Sequence, residues 1–116
     1  MANRKKDKAI IKYKGNEYEL VFNLNVMEEI QEEYGSIEAW SNLTDAESEP
    51  NMKAVIFGLT AMINEGIEIY NEDHDEDRKT LNHKQVGRMI SEVGLVEASE
   101  QINKTVINST KSDEKN

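Results

Sequence analysis

Apolar positions along the chain change period three times, and each change marks an element. Residues 10–22 alternate: Ile11, Tyr13, Tyr18 and Leu20 on one side, Lys12, Lys14, Glu17 and Glu19 on the other. Alternation of this kind predicts a β-hairpin, and Gly15-Asn16 is a two-residue loop of the type that primed turns need. Folding about that loop sets Lys14 against Glu17, Tyr13 against Tyr18, Lys12 against Glu19 and Ile11 against Leu20. A one-residue slip would destroy both the ionic and the apolar pairs. A lone hairpin is marginal in water, so its apolar face must lie on helices.

From Val26 onward the period becomes helical. Val26, Met27, Ile30 and Tyr34 recur at helical spacing between glutamates, with Asn25 and Glu28 spaced as a cap and its reciprocal partner, and Gly35 as the stop. Ser36 caps a short helix presenting Ile37, Trp40 and Leu43, and Thr44–Asn51, with Pro50, reads as a loop. A long helix over 52–70 carries a broad stripe: Met52, Val55, Ile56, Leu59, Met62, Ile63, Ile67 and Tyr70. So wide a stripe marks the central core helix. Gly58 and Gly66 each cost about 1 kcal/mol against alanine in a helix interior, which implies close approach of neighbouring elements. Asn71–Lys79 is a charged loop. Thr80 or Asn82 caps a fourth helix with Val86, Met89, Ile90 and Val93, ended by Gly94. A fifth carries Leu95, Ala98, Ile102 and Val106. The predicted fold class is α+β: an N-terminal β-hairpin packed on a bundle of four or five α-helices. The expected organisation is a flexible basic start over 1–8, one domain over 9–109, and a polar disordered tail over 110–116.

Composition narrows the possibilities. The chain has 116 residues, no cysteine and a net charge of −9. A chain of this length holds one domain, and the missing thiols exclude a disulfide scaffold and a cysteine nucleophile. No apolar run approaches the length of a membrane span. The charge is unevenly spread: +5 over residues 1–14, −14 over 15–79, and zero over 80–116. An acidic middle repels the phosphate backbone, so the expected partners include neither nucleic acid nor membrane.

The tools for catalysis are few. Asp73-His74-Asp75-Glu76-Asp77 alternates acids like the start of a calcium loop, but the sixth position from Asp73 is Arg78, where glycine is needed, and the twelfth is Lys84, where glutamate is needed. A solvated loop is the expectation. His74 and His83 are the only histidines and form no zinc motif. No nucleophile elbow or phosphate loop appears. The expectation is therefore no enzyme, no cofactor and no metal. Among the aromatic residues Trp40, on a short helix beside a loop, is the candidate for a partly exposed interface anchor.

The order of these segments resembles a known family. A strand pair reading Ile-Lys-Tyr-Lys-Gly-Asn-Glu-Tyr-Glu-Leu-Val-Phe leads into Asn-Leu-Asn-Val-Met-Glu-Glu-Ile-Gln-Glu-Glu-Tyr-Gly-Ser-Ile-Glu-Ala-Trp. There follow Ala-Val-Ile-Phe-Gly-Leu-Thr-Ala-Met-Ile-Asn-Glu-Gly and Leu-Asn-His-Lys-Gln-Val-Gly-Arg-Met-Ile. Over about residues 9–107 this is similar to the tail assembly chaperones of long-tailed bacteriophages, prophages and gene-transfer agents, in layout and residue type rather than in a catalytic signature. The Tyr-Gly-Ser join is its most distinctive part. The resemblance implies a non-enzymatic protein of the host cytoplasm that binds the tape measure protein, helps recruit tail tube protein and is absent from the mature virion. It also implies self-association and a longer frameshifted form. The ending Glu114-Lys115-Asn116 is compatible with a slippery A-AAA-AAC. Tyr34, Trp40, Ile102 and Val106 are the expected protein-binding residues. A structural protein at the head–tail joint and an acidic inhibitor or DNA mimic are the alternatives.

Overall fold

In the computed structural model, residues 8–114 are described. The elements run β1 (Ile10–Tyr13), β2 (Asn16–Glu19), α1 (Leu24–Tyr34), α2 (Ile37–Leu43), α3 (Met52–His74), α4 (His83–Val93) and α5 (Leu95–Glu114). This is the α+β fold that the sequence pattern predicts: one antiparallel hairpin on five helices. The basic start expected over 1–8 lies, except for Lys8, outside the described residues, as do the last two positions of the expected tail. Backbone of α5 continues to Glu114, beyond the boundary expected at 110.

The hairpin differs from expectation in register. Lys12 faces Glu17, Ile11 faces Tyr18 and Ile10 faces Glu19, so the turn is Lys14-Gly15 rather than Gly15-Asn16. Both central residues have positive φ, 51° and 80°, as a type I′ turn demands. The shift is two residues, which keeps every side chain on its own face. Its reason lies in α3: Val21 leaves the ladder and donates its N–H to the Met62 carbonyl at 3.3 Å, while Leu20 donates to Ala9 at 2.9 Å. Ala9, Ile11 and Leu20 consequently reach the core. Lysine tolerates positive φ poorly. Lys14→Asn, creating the favoured Asn-Gly pair, is expected to raise stability by about 0.5–1 kcal/mol in chemical denaturation; a loss would argue against this turn.

Helix α3 is the axis of the molecule, packing against α1, α2, α4, α5 and β2. Ala54, Val55, Leu59, Met62 and Ile63 are buried along it. Its two interior glycines mark contacts that admit no Cβ. A Cβ at Gly58 would stand 2.4 Å from Cζ2 of Trp40, and one at Gly66 would stand 2.5 Å from the Glu19 carbonyl oxygen. The helix runs four residues past the expected end at Tyr70, because His74 stacks on the Tyr70 ring one turn back at 4.0 Å. The Arg78 guanidinium lies 4.1 Å from the same ring centre, and at those two distances imidazole and guanidinium must occupy opposite faces.

Helix ends follow local chemistry. Ser36 caps α2 by accepting from the Ala39 N–H, and Asn82 with Gln85 forms a full capping box on α4. For α1 the cap is Asn23, not Asn25. Asn23 accepts from the Val26 N–H at 3.2 Å, while the side-chain amides of Asn23 and Asn25 both donate to Oε2 of Glu65 on α3 at 2.7 and 3.0 Å. A tertiary carboxylate on α3 thus ties down both asparagines at the start of α1.

The segment between α3 and α4 returns along α3 in a particular way. The Asn71 side chain exchanges two hydrogen bonds with the backbone of Arg78, both at 3.0 Å. Two helical turns earlier, Asn64 does the same with Leu81 at 2.8 Å. Each amide satisfies a backbone donor and acceptor that would otherwise compete for water.

Candidate functional site

The four residues expected to contact a partner are placed mostly inward. Trp40 is fully buried rather than a partly exposed anchor. Its ring lies parallel to Phe22, with centroids 6.3 Å apart, covers Gly58, and donates its indole N–H to the Ala54 carbonyl at 3.1 Å. The bare glycine surface explains the correction, because it lets a flat ring sink onto the helix backbone. Ile102 is also fully buried, in the shared core. Neither can touch a docked partner unless the core opens. Tyr34 and Val106 are half-buried and pack against that core. The Tyr34 ring meets Phe57 edge-on at 5.6 Å, and among the described residues its buried hydroxyl oxygen has no hydrogen-bond partner. Burial, then the neighbouring Glu33 carboxylate, raises the Tyr34 phenol above its ordinary pKa.

The apolar surface open to a partner comes from other residues. Leu24 and Met52 stand most exposed, each at the first position of a helix, followed by Ile107, Val96, Ile10 and Leu43. Leu43 and Met52 are adjacent in space, since the Leu43 carbonyl accepts from the Asn51 N–H at 2.7 Å. Helical periodicity placed Met52 in the core stripe and did not reach Leu24; both stand exposed, because a residue in the first turn projects off the end of the stripe.

Among the described residues, two of the grooves that indent the surface stand near titratable side chains. One, of about 190 Å³, lies between α1, α3 and the approach to α4, and is lined by Glu29, Phe57, Thr60, Asn64, Glu65 and His83, among others. Helix α1 brings Glu29 here because Val26 and Ile30, its neighbours on the helix, face the core. Partial burial raises the Glu29 carboxyl above its ordinary pKa, and the charges of Glu65, Glu68, Glu28 and Glu32 raise it further. The groove was invisible in the sequence, where Glu29 and Glu65 are far apart.

The raised Glu29 pKa has a defined consequence for stability. Between the ordinary value near 4.5 and the raised one, the folded state holds more proton than the unfolded chain. Stability therefore rises as pH falls through that window, and the penalty is fully present above it. Glu29→Gln is expected to raise Tm at neutral pH and to flatten the pH dependence just above 4.5. A variant that melts lower than the parent at pH 7 would contradict this.

The second groove, of about 460 Å³, lies between the hairpin turn and the end of α4, lined by Lys12–Glu17, Glu92 and Val93. Among the described residues no three His, Asp or Glu side chains are grouped so as to hold a metal ion, and no helix is long and apolar enough to cross a membrane. In comparisons with known proteins, the chain matches no family model, no curated protein and no solved structure.

Proposed function

We propose that this protein is a non-enzymatic assembly chaperone of the phage-tail type, which binds the tape measure protein and helps bring tail tube subunits to it. The observation that carries the reading is the segment order: a short hairpin, then a capped acidic helix ended by Gly35, then Ser36 capping a second helix before the core helix. This order matches the residue pattern on which the resemblance rests. Two physical features support the role. A tape measure protein is a long helical chain with apolar stripes, and a partner must cover those stripes. The exposed Leu24, Met52, Val96 and Ile107 provide apolar contacts. A net charge of −9 keeps complexes apart from one another and in solution.

Co-expression with tape measure fragments tests the proposal. The expected result is a soluble complex that co-purifies, from fragments that are insoluble alone. Fragments that stay insoluble and unbound would overturn it. Mass spectrometry of purified particles is expected to find the tube protein and not this chain; its presence there would favour the head–tail joint instead.

A further inference from the structure

The two edges of the hairpin are treated differently. The outer edge of β2 is docked: the Glu19 carbonyl lies over Gly66 and Val21 bonds to Met62. Among the described residues the extensive packing of β1 is with β2, and across a groove from Lys12 and Tyr13 stand Glu92 and Val93 of α4. In an antiparallel pair the residues that bond across the ladder alternate with residues whose N–H and C=O point outward. The Leu20 to Ala9 bond and the Lys14-Gly15 turn fix Ala9, Ile11 and Tyr13 as ladder-bonded. Ile10 and Lys12 therefore present their backbone groups to the open side. Among the described residues no other backbone group bonds to them.

We propose that the β1 edge takes up an extended acidic segment of another protein as a third strand. The side chains on the solvent face of β1 and just before it are Lys8, Ile10 and Lys12, with Ile10 exposed at 41%. Side chains directly opposite on neighbouring strands interact, favourably for opposite charges and for apolar pairs. The complementary strand has a carboxylate, an apolar residue and a carboxylate at alternate positions, so that acids meet Lys8 and Lys12 while the apolar side chain covers Ile10. Lys8 and Lys12 already lean toward Glu19 and Glu17, at 3.4 and 3.8 Å. These pairs are exposed, and exposed pairs are held weakly enough to be shared with a third strand.

The same pattern disfavours pairing with β1 of a second copy of this chain. Antiparallel self-pairing centred on Ile10 sets Lys8 against Lys12 on both sides, and parallel self-pairing in register sets each lysine against itself. Lysine on an open edge blocks pairing between like strands. It leaves the edge available to an acidic one.

The test uses the full chain and a short capped peptide that alternates threonine with Glu, Ile and Glu. Amide exchange and amide chemical shifts are followed residue by residue. The expected result is slowed exchange at Ile10 and Lys12, with at least about tenfold weaker binding when Lys replaces Glu in the peptide. N-methylation of the peptide amides that face β1 should abolish binding while keeping its charge. The protein is unaltered in every arm, so folding is not in question. An N-methylated peptide that binds equally, protection elsewhere than β1, or dimerisation through Ile10 without peptide uptake would each overturn the proposal.

Discussion

Replacing Gly66 with alanine is expected to destabilise the protein by about 1–3 kcal/mol, although alanine is the better helix former by about 1 kcal/mol. The added Cβ falls 2.5 Å from the Glu19 carbonyl oxygen and 3.5 Å from Cγ2 of Val21. The first of these neighbours is backbone and cannot swing aside. Strand β2 must lift from α3, which strains the 3.3 Å bond from Val21 to Met62 and withdraws Leu20 from the core. Urea denaturation of parent and variant measures the difference. A variant as stable as its parent would mean that β2 does not sit on this turn of α3.

Trp40→Ala is expected to cost more, about 3–5 kcal/mol, a large part of the total stability of an ordinary domain. The indole is fully buried, and removing it leaves a cavity lined by Phe22 and Gly58 and an unused acceptor at Ala54. A second measurement separates packing from general fragility. Gly58→Ala alone should destabilise, because its Cβ collides with the ring at 2.4 Å. In the Trp40→Leu background the same change should cost less, giving a coupling of about 0.5–3 kcal/mol. Additive costs would show that ring and glycine do not meet.

Both positions show what the sequence made legible. Glycine inside an apolar helix stripe announced a close neighbour, and the contacts at Gly58 and Gly66 supply two. It could not announce which neighbour, and Trp40 was read from its own short helix as the candidate for a partly exposed anchor. The core stripes of α3, α4 and α5 were readable because burial repeats with the helical period. The hairpin was readable as a hairpin, but not in register. Pleat alternation has a period of two, so a two-residue shift leaves Ile11 and Leu20 inside and Lys12 outside in either arrangement. What decides between them is the Val21 bond to α3, a tertiary contact with no local mark. The Asn23 cap was missed because two asparagines of the same cap chemistry stand two residues apart; Asn23 takes the role by accepting from the Val26 N–H, while Glu65 holds both side-chain amides. The acidic groove at Glu29 likewise exists only once α1 lies on α3.

The paired asparagines on α3 carry a consequence for the acidic connection they hold. Asn64 and Asn71 grip Leu81 and Arg78 by backbone alone, as a strand would grip its neighbour, so the clasp is indifferent to most side chains between them. Glu76, Asp77 and Lys79 are exposed and can be exchanged for other polar residues without loosening the connection, whereas Asp75 holds the left-handed C-cap of α3 at φ 53°. The helix has in effect a two-rung ladder on its flank, and the stretch it holds is free to carry whatever charge its surroundings require.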